Sequence, residues 1–147
     1  MTMTVRQILE VKGDRTYCVA PGVTVFEALG VMAEHNVGAV LVTENERLIG
    51  IFTERDYARK VVLKGLRSTD VSVRELMTPS PACIGMDQTV EEVMNIMTNK
   101  RFRHLPVLEN GRIAGIVSIG DVVKSVIDQQ RRTISHLSNY IAGDIAT

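Results

Sequence analysis

Two short stretches of this chain place a hydroxyl residue three positions before a carboxylate. Residues 50–56 read Gly-Ile-Phe-Thr-Glu-Arg-Asp, and residues 115–121 read Gly-Ile-Val-Ser-Ile-Gly-Asp. Each stretch follows an apolar run and opens a segment of helical periodicity, which predicts a strand that turns directly into a helix. The first amides of a helix are unpaired and carry a partial positive charge, so such a turn suits a phosphate or a sugar.

The same spacing also has a simpler interpretation. A Ser or Thr followed three residues later by an acidic residue can close reciprocally on the backbone of a helix start, and so act only as a cap. Thr53 with Asp56, and Ser118 with Asp121, fit this second description as well as the first. The two stretches alone do not decide between these interpretations: each could be a ligand site, and each could be only a helix cap.

The elements that position these residues belong to an internal repeat. A shift of 65 residues aligns residues 18–61 with residues 83–126 without a gap, and the leader at residues 5–9 resembles residues 73–77 at a shift of 68. The first copy therefore holds three extra residues near positions 12–15. Self-similarity of this kind indicates a duplicated structural unit.

Each copy shows a short strand, a helix capped by Thr24 or Thr89, a two-stranded hairpin and a final helix. The Asn-Gly dipeptide at residues 110–111 supports the second hairpin directly. We predict an α/β (α+β) fold of two tandem β-α-β-β-α repeats, packed sheet to sheet with pseudo-twofold symmetry. We expect this packing to produce one shared core and two equivalent clefts. Each cleft should lie near a strand-to-helix turn.

The expected domains are residues 5–67 for the first repeat, residues 73–132 for the second, and residues 133–147 for a C-terminal amphipathic helix that ends at Gly143. That helix could pack on its own repeats or on another chain. Its apolar residues recur at helical spacing: Ile134, Leu137, Tyr140 and Ile141.

Composition narrows the function classes. The 147 residues are 45% hydrophobic and include 17 basic and 17 acidic side chains, so the formal net charge is zero. Zero net charge with 4% aromatic residues argues against a nucleic-acid partner. We expect no membrane span and no export signal, hence a cytoplasmic location. Cys18 and Cys83 hold matching repeat positions and are expected to be reduced thiols in buried strands.

No catalytic pattern emerges from the sequence. The histidines at positions 35, 104 and 136 are scattered, and no His/Cys/Asp/Glu set has the spacing of metal ligands. A P-loop lysine motif, a nucleophile elbow and a Gly-x-Gly-x-x-Gly dinucleotide turn are absent from the sequence. Asp56 and Asp121 lie in separate copies and so do not indicate an acid–base pair. We therefore predict neither an enzyme nor a metal site.

The duplicated unit resembles a cystathionine-β-synthase (CBS) domain pair, also called a Bateman module. The resemblance lies in the two Gly-apolar-apolar-Thr/Ser-x-x-Asp stretches, in Val-Arg-Glu-Leu-Met-Thr at residues 73–78, and in Arg-His-Leu-Pro-Val at residues 103–107. It covers about residues 5–132, and we expect a free-standing module. The resemblance implies clefts that hold an adenosine-containing ligand: AMP, ADP, ATP, NAD(H) or S-adenosylmethionine.

The resemblance also implies roles for individual residues. Asp56 and Asp121 would bind ribose hydroxyls, because a carboxylate can accept from two neighbouring O–H groups. Thr53 and Ser118 would meet the ribose or the phosphate. The adenine would lie between apolar residues of each cleft, with its edge read by backbone near Ala20 or Gly85. Those apolar residues are Val19, Val37 and Val40 in one cleft, and Ile84, Leu105 and Pro106 in the other.

The copies differ where phosphates would lie. The second copy reads Lys-Arg-Phe-Arg-His at residues 100–104, including Arg103 and His104, where the first reads His-Asn-Val-Gly-Ala at residues 35–39. The first turn carries Arg55 where the second has glycine. We expect the basic cluster to neutralise phosphates in at least one cleft, although cations at a helix C-terminus also stabilise the helix.

The leading functional prediction is a regulatory adenine-nucleotide sensor that forms a homodimer and signals to an unidentified regulated protein. The alternative is a ligand-independent interaction or dimerisation module whose motifs only cap helices. Thermal melting with candidate nucleotides discriminates between them, because a bound ligand stabilises the folded state.

Overall fold

Two small sheets, one from each copy of the repeat, form the centre of the molecule. The computed structural model describes residues 3–146, with side chains through residue 142. In chain order, the elements are α1 (Val5–Lys12), β1 (Cys18–Val19), α2 (Val25–His35), β2 (Ala39–Glu44), β3 (Arg47–Thr53), α3 (Glu54–Asp56) continued by a π-helix (Tyr57–Val62), α4 (Val73–Leu76), β4 (Thr78–Pro79), β5 (Ile84–Gly85), α5 (Val90–Lys100), β6 (His104–Glu109), β7 (Arg112–Ser118) and α6 (Ile119–Ala146).

The two sheets have the same topology apart from one added strand. In each, a two-residue strand pairs in parallel with the first strand of an antiparallel hairpin, and β4 extends the first sheet by pairing with β3. Both hairpins shift register at equivalent places, after Val42 and after Val107. Their turns use positive φ at both central positions, as two-residue hairpin turns require. The predicted pair of β-α-β-β-α repeats is confirmed.

The apolar interior is divided into three clusters rather than the single shared core that we expected. Each sheet packs against its own helices in one large cluster, and a third, smaller cluster joins the two sheets. This third cluster places Leu41 and Ile51 of the first sheet near Ile113 and Ile116 of the second. The sheets therefore pack face to face, but most of the burial occurs within each half.

The two leaders are exchanged between the halves. Val5 and Leu9 of α1 are buried in the cluster of the second sheet, and Val73 of α4 is buried in the cluster of the first. The backbone bonds follow the same crossing: Val5 N–H donates to Gln88 O at 2.9 Å, whereas Val73 N–H donates to Val23 O at 2.9 Å. Each sequence copy thus contributes a helix to the core of the other copy.

This exchange explains the glycine of the repeated motif. A Cβ on Gly115 would lie 2.9 Å from the Cδ1 and Cδ2 atoms of Leu9, and a Cβ on Gly50 would clash with the Sδ atom of Met77. Leu9 and Met77 are equivalent leader residues, so both motifs use glycine to admit a leader side chain against strand backbone.

Two further expectations differ from the structure. Cys18 and Cys83 are free thiols as expected, but both are exposed: Cys18 is the outward residue of the two-residue strand β1, and Cys83 lies just before β5 and not within it. Helix α6 runs without a break through Gly143 to Ala146, so the tail is a continuation of the last helix and does not end at that glycine. Within residues 3–146, no helix has the length and apolarity that a membrane span needs.

Candidate functional site

Two clefts flank the interface of the halves, and each is built from both copies. The first, of about 510 Å³, joins the turn at Thr53 to residues 100–105 of the second copy. The second, of about 290 Å³, joins the turn at Ser118 to residues 12–17 and 36–39 of the first copy. Pockets that hold small molecules occupy about 300–1,000 Å³. The first cleft lies within this range and the second at its lower limit.

Asp56 lies in the first cleft at the start of α3, with 12% of its side chain exposed. Its Oδ2 accepts hydrogen bonds from Thr53 N–H at 3.0 Å and from Thr53 Oγ1 at 3.2 Å. Its Oδ1 lies 3.1 Å from Lys60 Nζ and 3.5 Å from Thr78 Oγ1. The carboxylate therefore closes a cap and faces a cation at the same time.

Asp121 occupies the equivalent position in the second cleft, but a different residue reaches it. Its Oδ2 accepts from Ser118 N–H at 2.8 Å and from Lys12 Nζ at 2.6 Å. Lys12 also donates to Ile116 O at 2.6 Å. Lys12 lies in the part of the first copy that holds the three extra residues, so this ion pair has no counterpart in the first cleft.

Both carboxylates are caps, and both also line a cleft. The capping geometry that one interpretation predicted is present in each turn. Beside each cap lies open space with an apolar and a polar side, so the two interpretations are compatible in geometry. In the second cleft, Asp121 Oδ1 accepts no hydrogen bond from the described residues, which leaves one oxygen available to a hydroxyl group.

The first cleft has an excess of positive charge. Six of its lining side chains are basic and two are acidic. The charge of Arg59, followed by desolvation and the charge of Arg103, lowers the pKa of Arg55, while the charge of Asp56 acts in the opposite direction. Lys60 forms an ion pair with Asp56, whereas Arg55, Arg59 and Arg103 form no ion pair with a described carboxylate. Clustered cations of this kind favour an anionic ligand.

His104 lies between the two clefts and lines both of them. Burial lowers its pKa, and the charges of Lys12 and Arg103 act in the same direction, while Asp121 and Glu54 oppose them. A Cβ on Gly38 would lie 3.4 Å from His104 Nε2, so the first copy has its smallest residue where the imidazole packs. A neutral imidazole therefore separates the two clefts near pH 7.

The clefts contain most of the polar residues that the sequence singled out. Thr53, Asp56, Arg55, Arg103, His104 and Leu105 line the first cleft; Ser118, Asp121, Val37 and His104 line the second. The remaining apolar and backbone candidates do not line either cleft. Val19, Val40 and Ile84 are buried in the cores, and Ala20, Gly85 and Pro106 lie outside both linings.

Several cleft residues were missed by the sequence analysis. They are Lys12, Arg15, Thr16 and Tyr17 in the second cleft, and Arg59, Lys60 and Thr78 in the first. The three extra residues of the first copy gave a usable signal for Lys12 and Arg15, because an insertion into one copy marks where the two halves differ. The Tyr17 ring stacks on the His35 ring at 3.9 Å between centroids, which places an aromatic wall in the second cleft.

Asp121 should contribute a pH-dependent share of the stability. Burial alone would raise its pKa, but hydrogen bonds from Lys12 and Ser118, with the charge of Lys12, hold that pKa below its ordinary value. Because the pKa is lower in the folded state, the contribution is present above the ordinary carboxyl pKa of about 4 and is lost as the pH falls through the folded-state pKa. We therefore expect Asp121→Asn to lower the urea midpoint at pH 7, with the difference disappearing in strong acid.

The matched control is Glu10→Gln, which removes an exposed carboxylate from the last turns of α1. It should leave the urea midpoint at pH 7 within experimental error. An Asp121→Asn midpoint that stays below that of the unmodified chain by the same amount at pH 7 and in strong acid would contradict the ion-pair assignment.

No group of three or more His, Cys, Asp or Glu side chains among the described residues is arranged to hold a metal ion. The groups that the clefts offer to a ligand are carboxylates, helix-start amides, cations and apolar walls.

The family model of the CBS domain matches residues 4–63 and 73–128. The mitochondrial CBS domain-containing protein CBSX3 of Arabidopsis thaliana is 40% identical over 125 residues, which cover 82% of this chain and 61% of that protein. This chain therefore spans less than two thirds of the length of that relative.

Solved structures give the same match. A protein with CBS domains from Burkholderia ambifaria MC40-6, provisionally described as acting in signal transduction, is 45% identical with a TM-score of 0.83, covering 87% of this chain and 96% of its own. The CBS domain pair of protein MJ0100, solved with 5′-methylthioadenosine and S-adenosyl-L-methionine, is 22% identical with a TM-score of 0.76, covering 88% of this chain and 99% of its own.

Proposed function

Because this chain belongs to the CBS-domain family, we propose that it is a regulatory module that binds an adenine nucleotide between its repeats. The ligand would be AMP, ADP, ATP or NAD(H), and the role would be binding without catalysis. The observation that carries the proposal is the first cleft, where a largely buried carboxylate at a helix start lies beside arginines that form no ion pair with a described carboxylate. The MJ0100 domain pair, which binds two adenosine-containing molecules, supports the choice of ligand class.

The proposed pose follows from the chemistry of the lining. Asp56 would accept hydrogen bonds from the ribose hydroxyls through Oδ1, the oxygen that also faces Lys60 and Thr78. The phosphates would meet the side chains of Arg55, Arg101 and Arg103, where an anion relieves their mutual repulsion. Apolar surface for the purine comes, in the same cleft, from the partly exposed Pro81, Ala82 and Phe102.

The second cleft is a weaker candidate for the same ligand. It is smaller, and its lining carries two Lys or Arg side chains, Lys12 and Arg15, against six in the first cleft. We therefore propose that the first cleft fills before the second.

A ligand in the first cleft would contact both halves of the molecule at once. Such a ligand favours whichever arrangement of the halves fits it better, and this difference in affinity is what a signal requires. We propose that a homodimer of the module passes this change to a regulated protein. Exposed free thiols at Cys18 and Cys83 fit a reducing compartment such as the cytoplasm.

Thermal melting with AMP, ATP, NADH and S-adenosylmethionine tests the proposal. A ligand present at about 100 times its Kd should stabilise the fold by about 2.7 kcal/mol, because it binds the folded state only. We expect ATP to give a larger shift than adenosine at equal concentration, and the difference to shrink in high salt. Absence of a shift with every one of these ligands at millimolar concentration would favour the ligand-independent module, in which the two carboxylates act as caps alone.

A further inference from the structure

The C-terminal half of α6 extends beyond the rest of the molecule. At the start of this helix, Val122 is buried and Val126 packs against the core of the second half. From position 130 to position 142, every residue is exposed. Much of this segment consists of Ser, Thr, Asn and β-branched residues, which are mediocre helix formers, and isolated helices of about 12–15 residues are marginal in water. Contact with a partner would therefore stabilise this segment as a helix.

We propose that this partner is α6 of a second copy of the chain, in a parallel two-stranded coiled coil. The proposal specifies the surface of the homodimer that belongs to the proposed function, but it does not depend on nucleotide binding. Its basis is a seam on α6 in which residues follow one another at alternating spacings of four and three. The seam residues are Val123, Ile127, Gln130, Ile134, Leu137 and Ile141.

The spacing and the residue types of the seam fit a coiled coil of two identical helices. Spacings that average 3.5 residues keep one stripe facing a partner helix over its whole length. Isoleucines hold the a positions, at 127, 134 and 141, and Leu137 holds a d position, a combination that favours two parallel strands. The apolar seam residues are 41–63% exposed, so the stripe is free along a length of about 27 Å.

Charge also favours a second copy over other occupants. The charged residues beside the seam, Lys124, Asp128, Arg131 and Arg132, all precede position 133. Between positions 133 and 142 the helix carries no Lys, Arg, Asp or Glu, so over this stretch two identical helices would meet without like-charge repulsion. A membrane surface fits less well, because helices that lie on membranes usually place Lys and Arg along their polar face. Gln130 in the seam would pair with its own counterpart in the parallel register, which is how a single polar layer fixes alignment.

The mass of the full chain in solution tests the proposal. We expect the unmodified chain to behave as a dimer of its 16.2 kDa protomer in sedimentation equilibrium. Ile134→Asp with Leu137→Asp should raise the dissociation constant of the dimer by about 100-fold or more, because central apolar contacts dominate such interfaces. The matched control, Ser135→Asp with Asn139→Asp, adds the same charge away from the seam and should leave the dimer intact.

Three results would overturn the proposal: a monomeric unmodified chain, equal dimerisation of the seam variant and the control, or loss of dimer in both. ATP-induced melting shifts, measured on the same samples, keep the proposed function separate. The seam variant should retain its shift, since positions 134 and 137 lie outside both clefts.

Disulfide trapping tests the parallel register. In a chain carrying Cys18→Ser and Cys83→Ser, the substitutions Gln130→Cys and Leu137→Cys are made one at a time. In the parallel register each cysteine meets its own counterpart, so both variants should give a covalent dimer on mild oxidation. Trapping at only one of the two positions, or at neither, would rule out this register.

Discussion

Asp56→Asn should weaken the binding of ATP by about 100-fold while the fold stays intact. A ribose that donates two hydrogen bonds to this carboxylate gains about 1.5–3 kcal/mol from each, and 1.4 kcal/mol corresponds to a factor of ten in affinity. The asparagine keeps a carbonyl oxygen that can accept from Thr53 N–H, so the helix cap survives the substitution. Isothermal titration calorimetry measures the affinity, and circular dichroism checks the fold.

Glu54→Gln is the matched control for this experiment. Glu54 lines the same cleft and has the same charge, but it is exposed and closes no cap. Its replacement should leave ATP binding unchanged or make it slightly tighter, because a carboxylate near the phosphates repels them. If Asp56→Asn binds ATP as tightly as the unmodified chain does, the carboxylate is a cap and nothing more, and the proposed sugar contact is wrong.

The local structure of this chain could be predicted because its determinants are local. The Asn residues at the hairpin turns adopt positive φ, and Thr24 caps α2 through a reciprocal pair of bonds with Glu27. The hydroxyl–carboxylate pairs also stood out by spacing alone. What spacing could not reveal is that the same carboxylate serves a cap and lines a cleft, since the cleft is completed by the other copy.

The apolar walls of the clefts were harder to predict for the same reason. Val19, Val40 and Ile84 are apolar residues near the motifs, and they are buried in the cores rather than in either cleft lining. Lys12 belongs to the first copy in sequence but pairs with Asp121 of the second. Periodicity assigns a residue to one face of an element, but it does not state which half of a duplicated molecule that face will meet.

The leader helices show most clearly that sequence does not state which half an element will join. They also give the second large predicted effect, which is on stability. Leu9→Ala should destabilise the chain by about 2–5 kcal/mol, as removal of a buried leucine side chain usually does. Leu9 is 5% exposed and packs in the core of the second half. Met77, the equivalent leader residue of the second copy, is 9% exposed in the core of the first half. Urea unfolding followed by circular dichroism measures the loss for Leu9→Ala and for Met77→Ala.

A double-mutant cycle tests whether the leaders are exchanged. Gly115→Ala would bring a new Cβ to within 2.9 Å of Leu9, so the substitution should be costly beside Leu9 and much less costly once Leu9→Ala has made room. Residues in contact usually couple by about 0.5–3 kcal/mol, whereas distant residues are additive within about 0.5 kcal/mol. We expect coupling for Leu9 with Gly115, and additivity for Leu9 with Gly50.

The two glycines make this comparison discriminating, because they are equivalent members of the same motif. If each leader packed on its own copy, Leu9 would couple to Gly50 instead, and the crossed backbone bonds of the leaders would be wrong as well. The exchange of the leader helices also bears on the proposed signalling function. A ligand that shifts one half relative to the other would act on a leader packed in the core of the neighbouring half, so we expect the two halves to respond together.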